Sequence, residues 1–458
     1  MPPLDGFTED ESDAIPIAGV RKRDLDDWLA RHPQARPWLQ STGFAAAAGE
    51  LSLLPDAGGA LSTVLVGLGD EPRWQWAALP KLLPEGTYRL ADETRTADAA
   101  DAVLGWGLGL YTFDRYRSRA ARRVRLVWPL ATYRPHLQRT IEAVHFVRDL
   151  INTPASDMGP DELAEAARGL ARSHHARHRV IVGNELLLEN YPAIHAVGRA
   201  SNRAPRLIDL TWGDADQPKV TLVGKGVCFD SGGLDLKTAA GMKLMKKDMG
   251  GAAIVLGLAR MVMSAGLPVR LRVLIPAVEN SVAGNAMRPL DIVRTRRGLT
   301  VEIGNTDAEG RVILADALAE AAAEDPALLV DVATLTGAAR VALGAEVPAM
   351  FTHDDALADR LLAAAAAVGD PLWRLPLWRG YRRHLDGKAA DLTNAPDTPF
   401  AGAILAALFL AEFAAPVRPW VHLDVMAWNA DSRPGRPEGG EAMGMRALYA
   451  LIEERFTG

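Results

Sequence analysis

The chain has 458 residues, 48% of them apolar and 24% charged, with a net charge of −6. That length suits two or more domains with a large core, and the acidic balance gives no general pull toward nucleic acid or an anionic membrane. A single cysteine, Cys228, excludes an internal disulfide, and no run of about 18 apolar residues marks a membrane-spanning helix. The first residues, MPPLDGFTEDESDA, are unlike a secretory signal, so the expected compartment is the cytoplasm.

Residues 1–135 read as a smaller N-terminal α/β domain. Leu61–Leu68 is an apolar strand running into Gly67-Leu68-Gly69-Asp70; the spacing G-x-G-x-x-G is not completed, so a structural turn is expected. Asp101–Gly109 reads as a small-residue helix leading to the aromatic run Tyr111–Tyr116. Trp74, Trp76, Trp106 and Trp128 read as core. The basic run Arg117–Arg125 reads as a solvated face.

A helical pattern over Arg134–Ile151 puts Ile141, Val144, Val147, Leu150 and Ile151 on one side, and Asn152-Thr153-Pro154 ends it. Residues 136–153 are therefore read as a linker helix and 154–458 as the larger domain. There the pattern alternates: helix Pro160–Ser173; strands Arg179–Val182, Leu207–Thr211 and Val220–Val223; helix Ala252–Met263; strands Arg270–Ile275 and Leu299–Ile303; helix Val312–Ala323; strands Ala327–Val332 and Trp420–Val425. This predicts a mixed, mostly parallel sheet flanked by helices, with its site at the carboxyl ends of the strands. Lys225, Asp307 and Thr334 each fall just past such an end.

Two stretches carry chemistry. In Asn305-Thr306-Asp307-Ala308-Glu309-Gly310-Arg311 the carboxylates at i and i+2 point the same way if the backbone is extended. Taken alone it reads equally as a cation or proton site and as a polar turn capping the next helix. Upstream, residues 223–253 place Lys225, Asp230, Lys237 and Asp248 among glycines, with Asp248 at a helix start. Two acids from each stretch could surround a pair of divalent cations. A lysine fits among them only if its amine is deprotonated and donates its lone pair.

These segments resemble the leucyl aminopeptidase family, the dinuclear-metal cytosolic aminopeptidases. NTDAEGR at 305–311 is that family's signature, and GKG-x-x-FDSGG at 224–233 and KKDMGGAA at 246–253 match in order and spacing. VGRAS at 197–201, PRLI at 205–208, ENSVAGNAMRPLDIV at 279–293 and ATLTGA at 333–338 continue the match, which covers about 154–450 well and the N-terminal third weakly. The resemblance implies that 154–458 is a catalytic metallopeptidase domain. It implies Asp230 and Glu309 as ligands bridging two metals, Asp307 (also through its main-chain oxygen) as ligand of one, and Lys225 and Asp248 as ligands of the other. Zn and Mn both suit such a set. It further implies that Asp248 and one metal take the substrate's free amino group. Lys237 would donate to the scissile carbonyl oxygen as charge develops there. Arg311 would hold a bicarbonate that serves as proton relay; a structural salt bridge is the alternative for this arginine.

The resemblance also implies a first side-chain pocket from Met245, Thr334, Gly337, Ala442 and Met443, with main-chain groups of Leu335 and Gly337 on the substrate backbone. A wall of Met, Ala and Gly would take an apolar residue. Cys228 and His422 read as buried core, and His174-His175 as a polar helix end. Val312 stands where the family usually has Leu, Asp235 adds an acid that is expected to face solvent, and Asn429–Glu441 is unusually rich in Pro and charge. The expected activity is removal of apolar N-terminal residues from peptides, in a homo-hexamer. A DNA-binding regulator on the same scaffold has only the basic run in its favour, and nucleic acid is not an expected partner. An inactive homologue is disfavoured by the complete set of seven site residues.

Overall fold

The computed structural model describes residues 4–70, 72–94, 96–117, 122–129 and 134–457. They form two compact units, residues 1–145 with 431–438, and residues 146–430 with 439–458. The division falls inside the helix Arg134–Asn152, and part of the Pro-rich stretch near 435 groups with the first unit.

In the first unit six strands order as Phe7–Thr8, Val124–Val127, Gly86–Leu90, Ile15–Val20, Leu61–Gly67 and Leu51–Pro55. All pairs are parallel except the last. Trp76, Trp106 and Trp128 are buried, and Trp74 lies under the Arg436 guanidinium. The turn after Leu61–Gly67 is structural: Gly49 N donates to Gly67 O and Leu68 N to Val20 O. Of the basic run, residues 118–121 lie outside the described residues. Arg122 donates to the carbonyl oxygens of Pro80, Lys81 and Leu83, where a cation satisfies the open end of the Pro72–Leu82 helix.

The second unit is built on a nine-stranded mixed sheet. Trp420–Asp424, Leu328–Ala333, Lys219–Gly224 and Arg270–Asn280 run parallel at its centre. Arg206–Trp212 and Arg177–Val182 extend one side antiparallel, Ala349–Phe351 and Trp373–Arg374 close the other, and Gly226–Asp230 pairs beside the end of Arg270–Asn280. Every residue of Leu328–Ala333 is buried, as expected of a strand covered on both faces. The helical run Met245–Ala265 is long and apolar enough to cross a membrane by length and composition, but 83% of its window is buried inside the fold, as in a core helix.

Two expectations change. Thr300–Glu302 does not join the large sheet; it pairs with Ile292–Arg294 and Leu392–Thr393 in a separate three-stranded sheet. A strand this short takes its place from whichever edge meets it. The next helix starts at Glu309 rather than Val312. Asp307 N donates to Asn305 Oδ1 at 2.7 Å and Ala308 N to Asn305 O at 3.2 Å. This turn winds the chain into the helix early, so Asp307 and Glu309 are not neighbours along an extended strand.

A polar pair locks the sheet centre. Asp331 and His422 face each other in parallel register, and Asp331, fully buried, accepts from Trp420 Nε1 at 2.7 Å and His422 Nδ1 at 2.5 Å. Burial pulls the His422 pKa down, but the attraction and hydrogen bond of Asp331 outweigh it and raise the value above 6.5. Asp331→Ala is expected to lower stability by about 3 kcal/mol in urea unfolding, because it strands a buried imidazole and an indole N–H. A raised folded-state pKa stabilises fully below the ordinary value of 6.5, and that part is lost as pH rises through the raised value. The gap between the wild type and the variant should therefore narrow in alkaline buffer.

Candidate active site

The site forms where Lys219–Gly224 and Leu328–Ala333 end side by side at Lys225 and Thr334. Lys225 N donates to Val332 O at 3.0 Å, and Ala252 N donates to Lys225 O at 2.9 Å. Strand and helix thus hold the Lys225 backbone between them. A Cβ on Gly251 would lie 2.0 Å from Val332 O, so only glycine permits this approach.

Lys225 Nζ lies 2.7 Å from Asp248 Oδ2, 3.0 Å from Glu309 Oε1 and 3.0 Å from Thr334 O. Asp248 comes from the tight turn Met245–Met249, and its Oδ1 accepts from Thr334 Oγ1 at 2.8 Å. Asp230 ends Gly226–Asp230; its Oδ1 accepts from Gly232 N and Asn280 Nδ2, both at 2.9 Å. Its Oδ2 lies 2.8 Å from Lys237 Nζ, which also meets Asp307 Oδ1. Donor atoms of Asp230, Asp307 and Glu309 all lie within 4.8 Å of one another.

Charge in this group is frustrated. Burial, and then repulsion from Asp230, push Glu309 up to about 8. Burial likewise raises Asp307 to about 6 and raises Asp248. The Lys225 amine moves opposite to what a lone-pair donor needs: burial lowers it, but Asp248, Glu309 and Asp230 together raise it further. Deprotonation of Lys225 therefore requires added positive charge among the acids. The oxygens allow for it. Asp248 Oδ2 and Glu309 Oε1 are met by the Lys225 ammonium and Asp307 Oδ1 by that of Lys237, and among the described residues Glu309 Oε2, buried, has neither a hydrogen bond nor an ion pair. Hard oxygens with one amine fit divalent cations.

These groups open into a cavity of about 510 Å³. Of the expected residues, Lys225, Asp230, Lys237, Asp248, Asp307 and Arg311 line it, as do Met245, Thr334, Leu335 and Gly337. Glu309 sits behind them against Lys225. Ala442 and Met443 are buried and do not line this cavity, whereas Lys247 and Arg340 do, so its wall is not only Met, Ala and Gly. Arg311 donates from Nη1 to Asn394 O at 2.6 Å, leaves Nε without a partner, and has no carboxylate within ion-pair distance among the described residues. Burial lowers its pKa to about 10. An arginine so placed suits a planar anion rather than a structural salt bridge.

Other roles were not readable in advance. Asn280 links Asp230 to the 305–307 turn, donating also to Thr306 O at 3.1 Å. Asp235 is exposed as expected but also accepts from Thr306 N at 2.7 Å. Asn394 donates to Asn305 O at 2.8 Å and to Ala308 O at 3.2 Å. Asp424 accepts from Leu335 N and Thr336 N, so the main-chain group of Leu335 left for a substrate is its carbonyl. Cys228 is a buried free thiol whose pKa burial raises well above its ordinary value. His174 ends its helix and meets Ser264 Oγ.

Gly310 packs directly against the Lys225 side chain. A Cβ there would fall 2.4 Å from Lys225 Cε and 2.6 Å from its Nζ. Gly310→Ala must displace the amine, and a shift of about 1 Å in such a group costs about 10²-fold in rate. Steady-state kinetics with a thermal melt would show this as lost kcat in a folded protein.

The chain is similar to known proteins over nearly its full length. Residues 145–449 match the model of the cytosol aminopeptidase family, catalytic domain, and residues 15–129 that of the M17 aminopeptidase, N-terminal domain. Peptidase B of Cronobacter sakazakii is 41% identical over 366 residues, 78% of this chain and 85% of that one. The probable cytosol aminopeptidase of Geobacter sulfurreducens is 39% identical over 85% of this chain and 84% of its own. The crystal structure of cytosol aminopeptidase from Coxiella burnetii superposes with a TM-score of 0.95 at 50% identity, covering 98% and 99% of the two chains. The bottromycin maturation enzyme BotP, in complex with Mn, gives 0.86 at 35% identity over 96% and 99%. The chain belongs to the cytosol aminopeptidase (M17) family. It is an aminopeptidase, a metal-dependent hydrolase whose substrates are peptides.

Proposed function

We propose that the chain hydrolyses the N-terminal peptide bond of peptides with two divalent cations held by Lys225, Asp230, Asp248, Asp307 and Glu309. The observation that carries this reading is the convergence of Asp230, Asp307 and Glu309 within 4.8 Å of one another, with Lys225 and Asp248 against Glu309 and one Glu309 oxygen buried without a partner among the described residues. When bound, the cations supply Lewis acidity at the scissile bond. Asp248 receives the substrate's ammonium, which restricts cleavage to the first residue. Lys237, on the cavity wall, donates to the carbonyl oxygen as negative charge develops there. The Leu335 carbonyl and the main chain of Gly337 hold the substrate backbone. Arg311 holds bicarbonate, whose chemistry there is that of a general base.

Met245, Leu335, Ala338 and Leu405 support an apolar component in side-chain selection. The relatives' names support a cytosolic location and family resemblance a hexamer, which sedimentation would test. Mn is the first metal to try, since BotP is described in complex with it. Dialysis of metal-free chain against Mn or Zn, followed by elemental analysis, should give two ions per chain and activity that rises with occupancy. One ion at full activity overturns the dinuclear reading.

A further inference from the structure

A second cavity, of about 680 Å³, lies in the larger unit and takes no part in the chemistry above. Trp420, on its wall, opens the strand Trp420–Asp424, whose other end, Asp424, accepts from Leu335 N at the active site. The cavity therefore sits at the opposite end of that strand from the active site.

Its charge is one-sided. Arg297, Arg379, Arg382 and Arg418 line it against a single acid, Glu412, although the chain as a whole is acidic. Glu412 is already engaged: its Oε1 accepts from Arg382 Nε at 2.5 Å, and Arg382 Nη1 also meets Asp386 Oδ1 at 2.7 Å. Arg297 donates to Glu412 O and Ala415 O, where the helix Gly402–Ala414 ends. These carbonyls satisfy its hydrogen bonds but do not cancel its charge. Among the described residues the side chains of Arg379 and Arg418 have neither a hydrogen bond nor a carboxylate within ion-pair distance. His353 shares this wall; burial, then the charges of Arg418, Arg379 and Arg374, lower its pKa from the ordinary 6.5. Cations gathered in this way repel one another until an anion joins them.

The remaining wall is apolar. Leu408, Ala411 and Ala414 come from one side of the helix Gly402–Ala414, and Val417 follows it. A matching ligand has an anionic head and an apolar body. Two open guanidiniums present paired N–H groups to one such head. A carboxylate brings one negative charge, whereas a phosphate monoester brings nearly two and three acceptor oxygens. The phosphate suits a wall where four arginines face one acid.

We propose that this cavity binds a small phosphate monoester with an apolar body, its phosphate between Arg379 and Arg418 and its body against Leu408, Ala411 and Val417.

Phenyl phosphate is the probe, titrated by calorimetry into the metal-loaded full chain beside inorganic phosphate, benzoate and phenol. Its Kd is expected to lie about tenfold below those of inorganic phosphate and benzoate, from the buried ring in one case and the added charged hydrogen bond in the other. Phenol should give no measurable binding. Arg379→Gln and Arg418→Gln should each weaken phenyl phosphate about tenfold. The double variant should lose it, yet turn over a leucine p-nitroanilide within about twofold of the wild-type rate, since neither arginine touches the active site. Saturating phenyl phosphate should not compete with peptide. Absence of binding to the wild type, or equal affinity for phenyl phosphate, inorganic phosphate and benzoate, overturns the proposal without any variant. Competitive inhibition with a constant equal to the Kd also overturns it, because the anion would then sit in the active site. So does a folded double variant that keeps the wild-type affinity.

Discussion

Asp230→Ala is expected to lower kcat/KM by about 10³-fold or more and to release bound metal, while the protein still folds. Asp230 is the acid through which the two lysines' surroundings meet. Its Oδ2 faces Lys237, its charge acts on both Lys225 and Glu309, and its donor atoms converge with those of Asp307 and Glu309. The substitution removes little of what holds the strand. Gly226–Asp230 stays in the sheet through main-chain pairing of Phe229 with Glu279 and Asp230 with Asn280. The side chain's own bonds go to Gly232 N and Asn280 Nδ2, at the surface of the site rather than in the apolar core. Asp230→Asn separates shape from charge, since the amide can still accept from both donors but binds a cation poorly. Metal content by elemental analysis, kinetics and a thermal melt would be read together. Undiminished hydrolysis by a folded Asp230→Ala protein would remove Asp230 from the metal centre, and with it the geometry proposed for the site.

Much of this site was legible because its residues follow strand ends at short intervals. Lys225 comes directly after Lys219–Gly224 and Thr334 directly after Leu328–Ala333, and an apolar run ending in a Lys or Thr is visible without any partner. Pro160–Ser173 was readable to the residue, because Gly159 and Pro160 open it and Glu162 Oε2 accepts from Gly159 N. What could not be read depends on distant pairing. Thr300–Glu302 finds its edge at Leu392–Thr393, far along the chain. Gly402–Ala414 is buried nearly all round and so shows no amphipathic period, and the reading passed over it. Asn394 anchors both the 305–308 turn and Arg311, yet nothing near it announces this. Lys247 was in view inside KKDMGGAA, but two adjacent lysines in a sequence look alike. Only the fold separates Lys246, which donates to Asn152 O, from Lys247, which is buried on the cavity wall.

Lys237→Met should lower kcat by about 10² to 10³-fold with a small change in KM, the loss seen when one donor to a developing oxyanion is removed. Lys237 is placed by its backbone, whose N–H donates to Ser231 O at 3.0 Å. Its ammonium reaches the cavity between Asp230 and Asp307, which with burial opposing them hold its pKa above the ordinary lysine value. The two carboxylates thus favour its charged form, which suits a donor rather than a base. Methionine keeps the length and apolar stem and removes only the charge and the N–H donors. Arginine should not rescue, because its planar fork cannot replace a compact ammonium between two carboxylates. Metal content separates the two lysine roles: Lys237→Met is expected to keep its metal, whereas loss of Lys225 as a ligand would not. A Lys237→Met protein that loses metal in step with activity would make this lysine an organiser of the acids, and the stabilisation of the carbonyl oxygen would have to come from elsewhere in the cavity.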